Sequence, residues 1–252
     1  MPKGMRNAAF PLLLCAVPTA FAALPDEIQV YTDEINRPGA WGLELHANVT
    51  PAGNKLPAYP GEITTNHGLR VTPEISYGLN DDWEAGLYVP AVRSSNGSYY
   101  MAGVRARMKW IPVKGPGGFA GANLELYRVD PKFSDVNAGS ELRFIAGYEG
   151  QNWLLSVNPV LNWGLVKSAG GADGSLGVKL TRRAFQGCAF GGEYYSEFGK
   201  INATLPYSQQ SNTLYGVMDY EGASFNLNFG IGRGLTPSAD SWTVKSIIGI
   251  SF

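Results

Sequence analysis

Cysteine, histidine and charged residues are all scarce in this chain of 252 residues. It contains two cysteines and two histidines, and only 16% of its side chains are charged. A zinc site built from thiolates and imidazoles needs about four such ligands, so we predict no metal and no cofactor. Long apolar runs are also absent. A helix that crosses a bilayer needs about 20 consecutive apolar residues, so a membrane-spanning form of this chain has to be a β-barrel.

The amino terminus has the pattern of a secretory signal peptide. Two basic residues precede an apolar stretch at residues 8–17, and residues 20–22 (Ala-Phe-Ala) provide a small-x-small cleavage motif. We therefore predict a signal peptide over residues 1–22, and Cys188 is then left without an internal disulfide partner. The exported chain keeps 18 basic and 21 acidic residues. This slightly negative balance argues against a nucleic-acid partner.

From residue 41 onward, apolar and polar residues alternate with a period of two. Leu43 and Leu45 share one face of the first segment, and Glu44 and His46 share the other. The fourth segment shows the contrast most clearly, because its three cations all point to the same side. Such alternation is typical of a strand between lipid and a polar interior. The solvated face of a soluble sandwich would also accept the cations, so this observation alone leaves both folds open.

About twelve segments show this alternation, an even number as single-chain bacterial barrels require. We predict strands over residues 41–49, 69–79, 83–91, 100–110, 119–129, 141–149, 153–165, 176–181, 188–198, 213–220, 225–235 and 242–252. Short turns, as at residues 80–82, alternate with long loops, as at residues 51–67 and 166–174, which fits periplasmic and external ends. The predicted fold is all-β: a single transmembrane, antiparallel, up-and-down β-barrel over residues 40–252. Residues 23–39 precede it as a periplasmic tail or as a segment tucked into the lumen.

Aromatic residues collect at the ends of the predicted strands, where a bilayer becomes polar. The predicted girdle comprises Trp41, Tyr77, Trp83, Tyr100, Trp110, Tyr148, Trp153, Trp163 and Trp242. A soluble sandwich has no reason to sort its tryptophans by strand end, so this sorting favours a membrane barrel. The last strand ends on Phe252. Such an ending resembles the closing strand of bacterial outer-membrane barrels, whose terminal aromatic residue the assembly machinery recognises.

Charged residues lie on the face that the alternation directs inward. The predicted lumen set comprises Glu74, Glu84, Arg105, Arg107, Lys109, Glu125, Glu141, Arg143, Lys179, Glu193 and Lys245. Hairpin geometry predicts that Arg107 lies opposite both Glu84 and Glu125, with Arg143 near Glu125. Rings of charge select small solutes by the electric field of the charges and by the diameter of the opening. The same charges can instead pair with one another and fill the lumen, since twelve strands lie between a filled barrel of about eight and an open channel of about sixteen.

Three functions are consistent with this pattern. The preferred one is a narrow pore with a charged lumen for passive or gated passage of small solutes. The second is a plugged structural barrel whose long loops contact partners. The third is an outer-membrane lipid hydrolase, but His46 and His67 occur without a Gly-x-Ser-x-Gly element. We therefore predict that the protein is not an enzyme.

Three segments resemble small proteobacterial outer-membrane β-barrels of the porin-like or transporter-like type. They are residues 26–31 (Asp-Glu-Ile-Gln-Val-Tyr), 68–74 (Gly-Leu-Arg-Val-Thr-Pro-Glu) and 229–234 (Phe-Gly-Ile-Gly-Arg-Gly). Similar barrels are grouped with phenol meta-degradation proteins. The resemblance implies a place in the bacterial outer membrane, with outer-membrane lipid, lipopolysaccharide and the barrel-assembly machinery as partners. It specifies a fold rather than a substrate.

Overall fold

The computed structural model describes residues 27–115, 117–165 and 171–252. The predicted signal peptide, and residues 166–170 of one predicted loop, lie outside the described residues. The strands are β1 (Trp41–Ala52), β2 (Leu69–Gly78), β3 (Trp83–Tyr88), β4 (Ala91–Arg93), β5 (Tyr99–Met101), β6 (Gly103–Val113), β7 (Phe119–Val129), β8 (Ala138–Glu149), β9 (Trp153–Gly164), β10 (Asp173–Phe185), β11 (Cys188–Lys200), β12 (Ala203–Thr204), β13 (Ser211–Glu221), β14 (Asn226–Gly234) and β15 (Trp242–Ser251). A 3-10 helix spans Tyr207–Gln209. No helix in these three stretches is long and apolar enough to cross a membrane.

Neighbouring strands pair antiparallel, and the sheet closes because β1 pairs with both β2 and β15. β3 and β4 form one wall strand, which is interrupted at Pro90 because proline has no N–H to donate. β5 and β6 form the next wall strand, and β12 only extends the pairing of β11 beyond the wall. The described residues therefore form a closed barrel of 12 strands, which confirms the predicted fold.

The two ends of the wall meet in a backbone seam. The Trp41 N–H donates to the Phe252 carbonyl oxygen at 2.9 Å, and the Phe252 N–H donates to the Trp41 carbonyl oxygen at 2.9 Å. Phe252 thus completes the pairing of β15 with β1, while its side chain stays 70% exposed.

The two faces of the sheet have the opposite polarity to those of a soluble protein. Leu43, Ile75 and Leu87 are exposed on the outer face, whereas Glu125 and Lys245 are buried on the inner face. In water, a continuous apolar outer surface would drive association. Hydrocarbon around the barrel accommodates it. The structure is therefore a transmembrane barrel of the outer-membrane type.

Aromatic side chains ring both ends of the outer face. The members of the predicted girdle that lie there, exposed or partly exposed, are Trp41, Tyr77, Trp83, Trp110, Tyr148, Trp153, Trp163 and Trp242. Trp41 packs against Tyr77 with ring centroids 4.7 Å apart, and Trp83 stacks on Trp110 at 5.7 Å. Neighbouring strands thus bring their aromatic residues to the same depth, as a bilayer interface requires.

Tyr100 lies on the other side of the wall from its predicted place in the girdle. Its ring packs edge to face on Phe133 at 5.6 Å, in an inner cluster that contains the buried Ala102. Even-numbered residues face inward in β5 and odd-numbered residues face inward in β6, so the direction of the side chains reverses at Ala102 and Gly103. A Cβ on Gly103 would stand 2.2 Å from the Arg128 carbonyl oxygen, so glycine is required at this irregular step. The outward prediction for Tyr100 is wrong because the strand breaks between it and the rest of β6.

Candidate functional site in the barrel lumen

Residues 27–36, here called the luminal segment, lie inside the barrel. They form no strand, yet Ile28 and Tyr31 are each only 4% exposed. Ile28 packs against Tyr215, and Tyr31 packs in a separate cluster with Phe119. The lumen is therefore filled at this level by the chain itself.

Tyr31 connects the luminal segment to two separate parts of the wall. Its N–H donates to Asn158 Oδ1 at 2.6 Å, and its carbonyl oxygen accepts hydrogen bonds from Ser156 Oγ at 2.6 Å and Asn158 Nδ2 at 3.1 Å. Its hydroxyl lies 2.8 Å from that of Tyr88. Ser156 and Asn158 are on β9, whereas Tyr88 ends β3. Tyr31 thus spans the lumen from one part of the wall to another.

Three cations of the wall hold backbone carbonyl oxygens of the luminal segment. The contacts are Lys245 Nζ to the Ile28 oxygen (2.9 Å), Arg143 Nη1 to the Gln29 oxygen (3.0 Å) and Lys109 Nζ to the Glu34 oxygen (2.5 Å). The cations come from β15, β8 and β6. Hydrogen bonds from charged donors contribute about 1.5–3 kcal/mol each. The luminal segment is therefore held from three directions by side chains of the wall, without strand pairing.

Among the described residues, the charged side chains that face the lumen pair in three clusters, the first centred on Arg107. Its Nε donates to Glu74 Oε1 at 2.7 Å, and its Nη2 lies 2.7 Å from Glu84 Oε1. The other oxygen of Glu84 accepts a hydrogen bond from the Asn36 N–H at 2.7 Å. This cluster joins β2, β3 and β6 and also holds the end of the luminal segment.

The second cluster lies on β6, β7 and β8. Arg105 Nη1 is 3.3 Å from Glu125 Oε2, and Arg143 Nη2 is 2.9 Å from Glu141 Oε1. The Arg105 guanidinium also lies over the Tyr127 ring, 4.9 Å from its centroid. The charges in this cluster are therefore balanced locally and are held in fixed positions.

The third cluster lies on β10, β11, β13 and β15. Lys179 Nζ is 2.8 Å from Asp219 Oδ1 and 3.5 Å from Glu193 Oε1. Lys245 Nζ contacts the other oxygen of Glu193. Glu193 is 1% exposed and Lys245 is fully buried. Because Lys245 also binds the luminal segment, this cluster couples the wall to that segment.

All eleven residues of the predicted lumen set lie on the inner face. They are Glu74, Glu84, Arg105, Arg107, Lys109, Glu125, Glu141, Arg143, Lys179, Glu193 and Lys245. The predicted register is wrong for Glu84, which lies opposite Lys109 rather than Arg107. Arg107 lies opposite Glu125 as predicted, and Arg143 is two residues along β8 from Glu141, which lies opposite Glu125.

This register error has a physical cause. Glu84 still pairs with Arg107, but diagonally, because Arg107 lies directly opposite Gly86. A shift of two residues changes the partner and keeps the face. The alternation in the sequence therefore cannot reveal it.

The predicted external end of the lumen is covered by the loop between β7 and β8. Phe133 of this loop is 2% exposed and packs with Val92 and Tyr127 of the wall. The neighbouring loop joins this cover, because the Ile63 N–H donates to the Lys132 carbonyl oxygen at 2.8 Å. The lumen thus has a second obstruction, separate from the luminal segment.

A cavity of about 440 Å³ lies at the predicted periplasmic end. It is bounded by the luminal segment and by Glu44, Lys179 and Asp219, and it reaches the rim of the barrel at Asn152 and Ser251. Its lining is therefore charged, and it extends to the point where the luminal segment blocks the lumen.

Sequence reasoning missed the residues that bind the luminal segment through neutral groups, above all Ser156 and Asn158. Their inward parity was readable from the sequence, but the segment that they hold has no periodic pattern. Sequence reasoning also missed that Glu44, His46 and Glu74 come together. Glu44 lies directly opposite Glu74 on β2, with His46 on the same face two residues along β1. His67, by contrast, is exposed in a loop.

No family model matches the sequence, and no curated protein sequence matches it. Solved structures do match the fold. An outer membrane channel from Pseudomonas putida F1 aligns with a TM-score of 0.62 at 11% identity, covering 90% of this chain and 100% of that one. The NanC porin aligns with a TM-score of 0.55 at 10% identity, covering 83% of this chain and 98% of that one.

A third match is the KdgM porin, solved in complex with oligogalacturonate. It aligns with a TM-score of 0.53 at 8% identity and covers 84% of this chain and 98% of that one. At such identities the likeness concerns the fold. The chain has the fold of porin-like bacterial outer-membrane barrels, and its apolar outer band and aromatic rings suit that membrane.

Proposed function

We propose that the protein is a narrow outer-membrane pore with a charged lumen, gated by the luminal segment, for small solutes. The observation that carries this proposal is how the segment is held. The wall binds it through side chains such as Lys245 and Asn158 rather than by strand pairing. Water or a solute can replace such contacts one at a time, so the segment can move while the barrel stays closed.

Two further features support this proposal. The charged cavity of about 440 Å³ gives a solute access from one end as far as the obstruction. The similar structures are named as channels and porins. In an open passage through the lumen, the charges would select ions and polar solutes through their electric field, and the width of the passage would select them by size.

The test is planar-bilayer conductance of the refolded protein. The wild type, a variant that lacks residues 27–36, and that deletion combined with Phe133→Ala are compared. We expect small or intermittent currents from the wild type and larger, steady currents after the deletion. Tyr207→Ala, which changes an exposed ring in the short 3-10 helix, serves as the control and should behave as the wild type.

The runner-up function is a plugged structural barrel whose external loops contact partners. The specific observation in its favour is the double obstruction by the luminal segment and Phe133. If the combined variant is folded and still passes no current, the pore proposal is wrong and this second function stands. We propose no catalytic role, because His46 is buried in the lumen and His67 is exposed in a loop.

We also propose that the outer face contacts outer-membrane lipid and lipopolysaccharide. Its aromatic rings lie at the depths where headgroups begin. Arg233 lies over the Trp242 ring, 5.1 Å from its centroid, at the predicted external end. A guanidinium at that level is placed to bind an anionic headgroup. Weaker retention of Arg233→Gln than of wild type on lipopolysaccharide-containing bilayers would support this contact, and equal retention would contradict it.

A further inference from the structure

His46 is a buried side chain whose Nε2 faces two carboxylates at ion-pair distance without a well-formed hydrogen bond to either. It is 1% exposed, and neither ring nitrogen has a hydrogen-bond partner among the described residues. Buried polar atoms are rarely left in this state, and each case calls for an explanation such as an ion that binds there. Two carboxylates nevertheless lie close to its Nε2.

The carboxylates belong to Glu44 and Glu74. Glu44 Oε2 lies 3.3 Å from His46 Nε2, and Glu74 Oε2 lies 3.5 Å from it. Glu44 and Glu74 are directly opposite each other on β1 and β2. Like charges in that position repel unless something cationic lies between them. The three side chains thus converge on one point that suits a cation.

The spacing fits the coordination geometry of zinc. Zn²⁺ binds imidazole nitrogen and carboxylate oxygen at about 2.0–2.2 Å in tetrahedral sites. Two ligands of such a tetrahedron are then about 3.3–3.6 Å apart, by geometry from those bond lengths. The separations of 3.3 and 3.5 Å measured from Nε2 fall in that range. Both carboxylate oxygens therefore already lie at ligand spacing from Nε2, and the three ligand atoms lie within 4.8 Å of one another.

The neighbouring charges leave the site available. Arg107 uses Oε1 of Glu74, whereas Oε2 faces His46. Glu44 is about one third exposed and lines the charged cavity, which gives an ion a route from the rim. A mixed nitrogen and oxygen ligand set favours zinc over calcium and magnesium, which prefer oxygen alone.

We propose that His46, Glu44 and Glu74 bind one Zn²⁺ ion beside this cavity, which Glu44 lines. The ion joins β1 to β2 and balances Glu44, while Arg107 pairs with the other oxygen of Glu74. The fourth coordination position is left for water from the cavity, as in sites with three protein ligands. Such a site needs one histidine and no cysteine, so the scarcity of both residues, on which the prediction of no metal depends, does not exclude it.

The experiment is a zinc titration of the full-length refolded barrel in detergent, after chelator treatment, against a chromophoric zinc chelator. The wild type should bind one equivalent with a dissociation constant in the micromolar range or below. Changing an outer-shell partner already costs about 10–100-fold in affinity. Loss of a ligand in His46→Gln or Glu44→Gln should therefore weaken binding by about 100-fold or more. His67→Gln removes the other histidine and should bind as the wild type.

Two results would overturn the proposal: no binding by the wild type, or equal binding by the wild type and both ligand variants. Circular dichroism and heat-dependent gel migration show whether each variant has folded. If neither ligand variant folds, zinc X-ray absorption of the wild type decides, because an imidazole ligand is required and its absence refutes the site. The titration measures binding alone, so its outcome is independent of whether the barrel conducts.

Discussion

Lys245 donates a hydrogen bond of 2.9 Å to the carbonyl oxygen of Ile28, 217 positions earlier in the chain. The same ammonium contacts Glu193 and is fully buried. One side chain of the last strand thus joins the luminal segment to the third charge cluster. A change at this position should affect both the stability of the wall and the position of the segment.

We expect Lys245→Met to release the luminal segment and to destabilise the barrel. Removing one member of an isolated buried ion pair costs about 3–5 kcal/mol, and the loss here should be smaller because Lys179 stays 3.5 Å from the other oxygen of Glu193. Hydrogen exchange of residues 27–36 should become faster, and the denaturant midpoint should fall. Lys200→Met is the matched control, since Lys200 makes a partly exposed pair with Asp173. Unchanged exchange in the luminal segment of Lys245→Met would show that the contact is not holding it.

The proposed pore function predicts that ion preference depends on Arg105. Its guanidinium is paired with Glu125 and lies at the inner face. In the variant that lacks residues 27–36, Arg105→Glu should shift the reversal potential in a salt gradient towards cation preference, because it changes the lumen charge by two units. Arg128→Glu makes the same change at an exposed position on the same hairpin. If both variants shift the potential equally, the lumen position has no special influence.

The loop cover should open when Phe133 is truncated. Removal of a buried phenylalanine ring costs about 3–5 kcal/mol in a well-packed site. Trypsin cleavage after the exposed Lys132 should then be at least about tenfold faster, which corresponds to about 1.4 kcal/mol of opening free energy. Tyr207→Ala, which changes an exposed ring in the 3-10 helix, should leave cleavage after Lys132 unchanged. Cleavage of Phe133→Ala at the wild-type rate would mean that the ring does not hold the loop.

The sequence predicts which face of a strand each residue occupies. It does not predict which residues of a neighbouring strand or of the luminal segment that residue contacts. β7 was predicted over residues 119–129 and spans Phe119–Val129, because period-two alternation is a local property. The place of Tyr100 depends on a break at Gly103, and the residue directly opposite Glu84 depends on register. In the sequence, residues 100–110 alternate as one continuous strand, and a shift of two residues keeps every face, so the alternation reveals neither. The luminal segment has no period at all, so its binding partners could be read only from the structure.

The same limit applies to the proposed zinc site. His46 was recognised as inward-facing from its parity. Its two carboxylate neighbours become visible only when β1 and β2 are paired in the correct register. A cluster that depends on two strands cannot be read from the spacing of residues along one of them.

Phe252 has two separable roles, and two variants should distinguish them. Its backbone closes the seam with Trp41 through two hydrogen bonds of 2.9 Å, while its side chain is 70% exposed and adds little packing. Phe252→Ala keeps the backbone bonds, so we expect normal stability of the refolded barrel but slower assembly in cells, if the machinery binds the ring. Deletion of Phe252 also removes two seam bonds, each worth about 0.5–1.5 kcal/mol. It should therefore lower both assembly and the denaturant midpoint, and export to the periplasm should be unchanged in both variants.

Trp41→Ala, which changes a ring across the same seam and keeps the last residue, controls for general loss of the aromatic girdle. Assembly of Phe252→Ala at the wild-type rate would show that the terminal ring is not an assembly signal in this protein.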